Sequence, residues 1–116
     1  MDIQRVKELL TPALERADEV SWEWLLGGIA NGDIQLWMGK KSALTTRIIY
    51  GLHTELQWIM VGGNLEEVLK MVPDIEKWAK SMGCNKARFV GRKGWSKVLK
   101  DLDYKIQPQV SMTKEL

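Results

Sequence analysis

Hydrophobic residues recur with two different periods along the chain, and the change of period separates helices from strands. Apolar positions three and four residues apart predict a helix over residues 3–17. Ser21 is a typical helix N-cap and Asn31-Gly32-Asp33 is a typical stop, so a second helix is predicted over residues 21–30. The chain is therefore expected to begin with two helices within residues 3–31.

The hydrophobic period then becomes two. Apolar residues alternate with polar ones in three segments, which predicts strands over residues 34–38, 44–50 and 52–60. Turn-forming residues around Gly39 and Gly51 separate these segments. We therefore expect an antiparallel meander whose last strand ends at Gly62-Gly63-Asn64.

Helical spacing returns after the glycine pair. Asn64 and Glu67 form a capping-box-like start, the apolar stripe runs from Leu65 to Met82, and Gly83 is a typical end. Pro73 is expected to divide or bend this helix.

The last part of the chain predicts a strand over residues 86–90, a helix over 95–102, a final strand region over 104–106 and a tail over 108–116. The order α-α-β-β-β-α-β-α-β predicts one α/β domain over residues 1–116, with a mixed, mainly antiparallel sheet flanked by helices. The strands on either side of the long helix are expected to be parallel neighbours.

Composition agrees with one ordered domain and removes several classes of function. The 116 residues are 45% hydrophobic and 28% charged, and most of the six tryptophans are expected in the core. One cysteine and one histidine exclude an internal disulfide and the usual zinc ligand sets, so no metal is predicted. The sequence shows no signal pattern and no apolar run long enough for a bilayer, which predicts a soluble intracellular protein without a membrane partner. A net charge of +2 disfavours nucleic acid as a partner.

The second half of the chain carries residues that resemble a known fold. Trp78-Ala79, Gly83-Cys84 and the Gly-Arg-Lys-Gly-Trp stretch flank the fourth predicted strand. Val98–Tyr104 stands where the GNAT acetyltransferase superfamily has its L-Y-x-K-L-G-F helix end. Residues 34–107 resemble that fold, and in particular the small GNAT-related proteins of tailed phages and prophages. The resemblance implies an acyl-CoA-binding protein, with acetyl transfer from acetyl-CoA to an amine if its site is active.

Two positions depart from the family pattern and indicate a reduced or lost transferase site. The family's pyrophosphate loop, Arg/Gln-x-x-Gly-x-Gly/Ala, is represented here only by Val61, Gly62, Gly63 and Asn64. Leu99 stands where many members have the tyrosine that protonates the leaving thiolate. These four loop residues, with Arg92, are the predicted cofactor-binding residues for acetyl-CoA. Gly62 and Gly63 fit equally well a tight strand-to-helix turn that binds nothing.

Three polar residues, His53, Glu55 and Gln57, alternate on one face of the third strand. Glu55 is the better candidate for a base that deprotonates an amine through water, and the resemblance implies that role. His53, whose usual pKa is about 6.5, is the second candidate. More often such residues are merely the solvated face of an antiparallel sheet.

Basic residues surround the second glycine turn, namely Lys86, Arg88, Arg92, Lys93, Lys97 and Lys100. They fit a phosphate or nucleic-acid contact, but charges of this kind are more commonly solubilising. Trp95 fits a position that stacks on adenine or, with its helical spacing, a core position. Cys84 is expected to be an inert thiol.

Two main classes of function stay open from the sequence, beside a weaker third, which is nucleic-acid binding through Arg92 and Lys93. One is a phage-type GNAT-related protein with a reduced, lost or working acetyl-CoA site. The other is a non-enzymatic binding protein or virion assembly component, which uses the fold as a scaffold for a protein partner or a homo-oligomer. Exposure of Trp22, Trp24 or Trp37 in one apolar patch would favour the second class. A phage origin predicts the host cytoplasm or the virion as its location.

Overall fold

The structure, a computed structural model, describes residues 2–17, 20–91, 94–108 and 112–116. Its elements, in chain order, are α1 (Ile3–Leu14), α2 (Trp22–Asn31), β1 (Gln35–Met38), β2 (Ser42–Ile49), β3 (Glu55–Gly63), α3 (Leu65–Ser81), β4 (Lys86–Phe89), α4 (Gly94–Leu99) and a 3₁₀ turn (Lys100–Leu102). No helix in these described ranges is both long and apolar enough to cross a membrane.

The four strands form one sheet in the order β1-β2-β3-β4. The pairs β1/β2 and β2/β3 are antiparallel, whereas β3 and β4 are parallel. The predicted meander, the parallel strands around the long helix and the mixed, mainly antiparallel sheet flanked by helices are therefore confirmed.

Each face of the sheet is covered by different helices. On the α3 face, one side of α3 packs on inward side chains of β2 and β3, with a core of Leu44, Leu56, Trp58, Val68, Val72, Ile75, Ala79 and Cys84. On the α1–α2 face, the first two helices bury a second core of Val6, Leu10, Leu25, Ile34 and Ala43. The alternation of strand side chains between the two faces produces this division.

The three longest helices begin at side-chain caps. The Asp2 carboxylate accepts from the Arg5 N–H at 3.1 Å, the Ser21 hydroxyl oxygen accepts from the Trp24 N–H at 3.1 Å, and the Asn64 side chain accepts from the Glu67 N–H at 2.9 Å. Each bond satisfies a donor that the first helical turn leaves unpaired. The predicted caps Ser21 and Asn64 are confirmed.

The third strand is displaced from its predicted position. It begins at Glu55 rather than at residue 52, because Leu52 is 97% exposed in a longer connection between β2 and β3. It continues through the glycine pair, since Gly62 lies opposite Ala43 and Gly63 opposite Ser42. The glycines predicted to end the strand are its last two residues.

The predicted final strand is wrong, because residues 104–106 have no strand partner and follow the 3₁₀ turn as irregular chain. Tyr104 is held there by its hydroxyl instead, which accepts from Trp58 Nε1 at 2.9 Å and donates to the Glu76 carboxylate at 2.8 Å. Helix α1 ends at Leu14, earlier than predicted. Helix α3 is not divided at Pro73 but continues through it.

Candidate functional site

The pairing between the two parallel strands of the sheet stops partway along β3. Pairing between β3 and β4 runs from Glu55 opposite Lys86 to Trp58 opposite Phe89, where β4 ends. β3 continues to Gly63 without β4 beside it. We call the space beyond the Trp58–Phe89 pair the β3–β4 gap.

A β-bulge in β3 lies directly at the start of this gap. Ile59 and Met60 together occupy the place opposite a single residue of β2, Thr45. The Thr45 hydroxyl is fully buried, accepts from the Met60 N–H at 2.8 Å and donates to the Met60 carbonyl at 2.9 Å. One side chain therefore fixes both main-chain groups of the bulge residue. Thr45 was not predicted as a site residue, although a threonine on the covered face of a strand is a signal for such a bond.

Two main-chain groups of β3 point into the gap. The Met60 carbonyl points toward β2, so in a trans peptide the Val61 N–H points to the opposite side. In the same way, the Asn64 N–H donates to the Lys41 carbonyl at 3.1 Å, so the Gly63 carbonyl points away from β2. Both groups lie past the last β3–β4 pair. The edge of β3 thus presents one donor and one acceptor to the gap.

Gly62 and Gly63 each have a structural role. A Cβ on Gly62 would lie 2.0 Å from the Leu9 carbonyl oxygen, because α1 crosses β3 at this residue. A Cβ on Gly63, which has a φ of +109°, would lie 2.2 Å from the Lys41 carbonyl oxygen. The two close approaches require glycine whether or not a ligand binds.

The start of α3 borders the outer end of the gap. Asn64 directs its N–H to Lys41 and its side chain to Glu67, while the Glu67 carboxylate accepts from the Lys40 and Lys41 N–H groups at 3.1 and 2.9 Å. Glu67 is thus turned toward the β1–β2 connection. The first helical N–H groups, those of Leu65 and Glu66, are at the positive end of the helix dipole.

An apolar cleft of about 420 Å³ opens between the start of α3 and α4, and it is lined by Leu65, Gly94, Trp95 and Val98. The Trp95 ring packs against Phe89, the last residue of β4, with ring centroids 4.9 Å apart. The cleft therefore adjoins the β3–β4 gap. Trp95 packs against Phe89, as expected of a core residue, and it also lines the cleft, as expected of a residue that stacks on a ligand.

The structure places the two candidate bases at the other end of β3 from the glycines. Glu55 is the first residue of β3, and His53 is exposed in the β2–β3 connection. The Glu55 carboxylate is 15% exposed and pairs with Arg88 Nε at 3.0 Å. Glu55 lies about 13 Å along the strand from Ile59, at a rise of about 3.3 Å per residue. Neither side chain is brought to the gap itself.

Arg92 and Lys93 lie outside the described residues. Cys84 is buried at the entrance to β4, and burial raises the pKa of its thiol. A raised pKa favours the neutral thiol over the nucleophilic thiolate. This agrees with the expectation of an inert cysteine.

The helix end with the family-like motif has a distinct geometry. Leu99 is buried in α4 and carries no group that exchanges protons. Asp103 has a φ of +65°, at the position where the L-Y-x-K-L-G-F motif has glycine. A left-handed backbone is the conformation that glycine adopts more readily than other residues.

We expect Tyr104→Phe to destabilise the protein by about 1–3 kcal/mol, because the Trp58 indole and the Glu76 carboxylate would lose their half-buried hydrogen-bond partner. Burial and the Glu76 carboxylate raise the pKa of Tyr104 above its usual value of 10.0. The folded protein thus holds this proton more tightly than the unfolded chain, so the stabilisation is present below about pH 10 and is lost as the pH rises further.

Urea unfolding at about pH 8 and about pH 10.5 measures both effects. The wild type should lose more stability between the two pH values than Tyr104→Phe does. Tyr50→Phe, at an exposed position, is the control and should change neither value. Equal pH slopes for wild type and Tyr104→Phe would contradict the prediction.

Comparison with known proteins adds to this geometry. No protein-family model matches the sequence, and no curated protein matches it. Solved acetyltransferase structures superimpose on nearly the whole chain. One from Trypanosoma brucei has a TM-score of 0.69 at 15% identity and covers 99% of this chain and 93% of its own. A predicted acetyltransferase from Clostridium acetobutylicum, solved with acetyl-CoA, has a TM-score of 0.72 at 10% identity and covers 98% and 92%.

Glucosamine-6-phosphate N-acetyltransferase from Arabidopsis thaliana has a TM-score of 0.62 at 17% identity and covers 99% of this chain and 94% of its own. The chain has the GNAT acetyltransferase fold. Within this fold, the β3–β4 gap, the bulge and the start of α3 make up the candidate site. At these identities the likeness defines the architecture, and the chemistry is argued from the residues of this chain.

Proposed function

We propose that this GNAT-fold protein binds an acyl-CoA thioester in the β3–β4 gap and the adjoining cleft. The observation that carries the proposal is the edge of β3, where the Val61 N–H and the Gly63 carbonyl point away from β2 and lie beyond the last β3–β4 pair. Strand edges of this kind recognise extended ligands through main-chain hydrogen bonds.

The pantetheine arm of coenzyme A matches this edge chemically. It is a narrow, extended chain with two amides, each of which has a donor and an acceptor. The Val61 N–H and the Gly63 carbonyl are two residues apart on one side of β3, the spacing at which an added strand pairs. The bulge and Thr45 keep the Val61 N–H directed at the gap, and the hydrogen bond from the Asn64 N–H to the Lys41 carbonyl does the same for the Gly63 carbonyl.

The remaining parts of coenzyme A fit the surroundings of the gap. The first N–H groups of α3 and the helix dipole favour a phosphate at the outer end of the gap. The apolar cleft with Trp95 offers a face for adenine, which stacks well on aromatic rings. The predicted residues Val61, Gly63 and Asn64 border this part of the proposed site, and Gly62 holds α1 behind it.

We propose that acyl transfer to an amine proceeds from this site at a low rate. Leu99 cannot protonate the leaving sulfur, so the sulfur would leave as a thiolate without the help of an acid. Glu55 remains the proposed base, and its distance from Ile59 means that the amine proton would reach it through water. Its pairing with Arg88 holds the carboxylate in a fixed orientation.

The scaffold alternative has less support in the described residues. Trp37 packs edge-on against Trp78 on the α3 face, while Trp22 packs into the second core on the α1–α2 face. Trp24 is the most exposed of the three candidates, at 45%. These tryptophans therefore lie on opposite sides of the sheet rather than in one patch. A protein partner, a phage origin and a cytoplasmic or virion location stay predictions from the sequence.

Val61→Pro tests the proposed site directly, because proline replaces the N–H that faces the gap with a ring carbon. The β2–β3 ladder does not use that group, so strand pairing is expected to persist. Acetyl-CoA affinity, measured by calorimetric titration, should fall about tenfold through the lost hydrogen bond and the added ring.

Val61→Ala is the matched control, since it shortens the side chain but keeps the N–H. It should bind acetyl-CoA within about twofold of the wild type. Wild type without measurable binding at millimolar acetyl-CoA would overturn the proposed function. Equal affinities of the proline and alanine variants would show that CoA binds elsewhere.

A further inference from the structure

A second hollow, of about 470 Å³, lies on the α1–α2 face, away from the apolar cleft. It opens between α2 and β2, and its lining includes Trp24, Gly28, Asn31 and Arg47. A volume of this size is typical of small-molecule sites. The lining combines an aromatic ring with a guanidinium, which differs from the apolar lining of the cleft.

Arg47 is held in place on two sides. Its Nε donates to the Gln57 side-chain carbonyl at 2.5 Å, and its guanidinium carbon lies 5.6 Å from the centre of the Trp24 ring. Both contacts leave the outer amino groups of the guanidinium for other acceptors. A guanidinium with a fixed plane and two outward N–H donors matches the geometry of a carboxylate or a phosphate.

Arg47 and Arg88 differ in whether a carboxylate lies beside the guanidinium. Arg88 is paired with the Glu55 carboxylate at 3.0 Å. No carboxylate in the described ranges lies within ion-pair distance of Arg47, which is half-buried. A partly desolvated cation without a counter-ion gains from an anionic ligand.

The position of Arg47 relates the hollow to the β3–β4 gap. Arg47 lies opposite Gln57 in the β2–β3 ladder, and Gln57 lies opposite Arg88 in the β3–β4 ladder. The three residues therefore form one row across three strands. This is the last row on the α1–α2 face before the Trp58–Phe89 pair, where the gap opens. Neighbouring strands are about 4.8 Å apart, so a ligand anchored on Arg47 reaches the gap within one or two strand spacings.

We propose that the acyl acceptor is a small primary amine that also carries a carboxylate or phosphate, and that Arg47 binds this anionic group. The inference rests on the proposed function. Glu23 and Asp33 also line the hollow. Their negative charges disfavour a polyanion but are compatible with a ligand that carries an ammonium group as well.

In the transfer, the amine nitrogen bonds to the thioester carbon and the carbon–sulfur bond breaks. The ammonium form of the amine first gives one proton to Glu55 through water, and the sulfur leaves as thiolate. The second nitrogen proton then passes through water to the thiolate, so that an amide and free CoA thiol result.

The experiment compares amines that differ in their second group. γ-Aminobutyrate carries a carboxylate, O-phosphoethanolamine a phosphate, and ethanolamine neither. Binding is followed by NMR through the Arg47 Nε–H and the Trp24 indole signals, without acetyl-CoA. Transfer is followed separately, with acetyl-CoA present, by release of the CoA thiol.

We expect the two anionic amines to shift both NMR signals and to bind at least about tenfold more tightly than ethanolamine. The larger response of the two identifies carboxylate or phosphate as the preferred group. Arg47→Gln should remove the preference, and Arg47→Lys should restore part of it because it keeps the charge without the fork. Arg5→Gln, at an exposed position of α1, changes the net charge equally and should have no effect on this preference.

Equal affinity for anionic and neutral amines, or the same preference in Arg47→Gln, would overturn the inference. Failure of acetyl-CoA to bind the wild type would instead overturn the proposed function. The NMR titration contains no acetyl-CoA, so it distinguishes the two failures.

Discussion

Gly62→Ala should destabilise the protein by about 2–3 kcal/mol, although it adds only one methyl group. The added Cβ would lie 2.0 Å from the Leu9 carbonyl oxygen and 3.0 Å from its carbon, and both atoms belong to the backbone of α1. A rigid helix cannot yield as a flexible side chain does, so α1 has to move away from β3. Thermal unfolding should show a fall in Tm of about 10 °C.

Gly27→Ala is the control for this substitution. Gly27 lies inside α2 and does not have a positive φ, and a Cβ added there would have open space for 4 Å around it. Alanine favours the helix there by about 0.5–1 kcal/mol, so this variant should be more stable than the wild type. If Gly62→Ala were as stable as Gly27→Ala, α1 would not cross β3 at Gly62.

Local patterns predicted those parts of the fold that local physics determines. Ser21 and Asn64 cap their helices because a short polar side chain reaches the N–H three residues later. Alternation predicted the meander because each strand has a different core on each face. These features depend on residues close together in sequence.

The errors arose where distant contacts decide the structure. Leu52 continues the alternation of the third strand, but it lies outside the sheet and is exposed. Tyr104 looked like the start of a strand, yet its place is set by Trp58 and Glu76, which are 46 and 28 residues away. Periodicity alone does not contain such partners.

The candidate site was predicted only in part for the same reason. The glycine turn could be located from the sequence, and in the structure this turn borders the β3–β4 gap. The sequence did not reveal that α1 and the β1–β2 connection both require glycine there. Thr45 and Arg47 were missed because their roles arise from strand register and from a bulge that breaks the alternation.

Thr45→Val should reduce both stability and acyl-CoA affinity, although the two side chains have nearly the same shape. Valine would leave the Met60 N–H and carbonyl without the hydroxyl that both now contact. Loss of a buried partner costs about 1–3 kcal/mol for each group, so we expect a total of about 2–4 kcal/mol. Urea unfolding measures this loss.

The effect on affinity follows from the bulge, because the same hydroxyl directs the Met60 carbonyl toward β2 and thereby the Val61 N–H into the gap. Acetyl-CoA titration should therefore show weaker binding by Thr45→Val even at temperatures where the variant is fully folded. Thr45→Ser keeps the hydroxyl and should retain most of the affinity while it loses some packing. If the valine and serine variants bound acetyl-CoA equally well, the bulge would not position the β3 edge for its ligand.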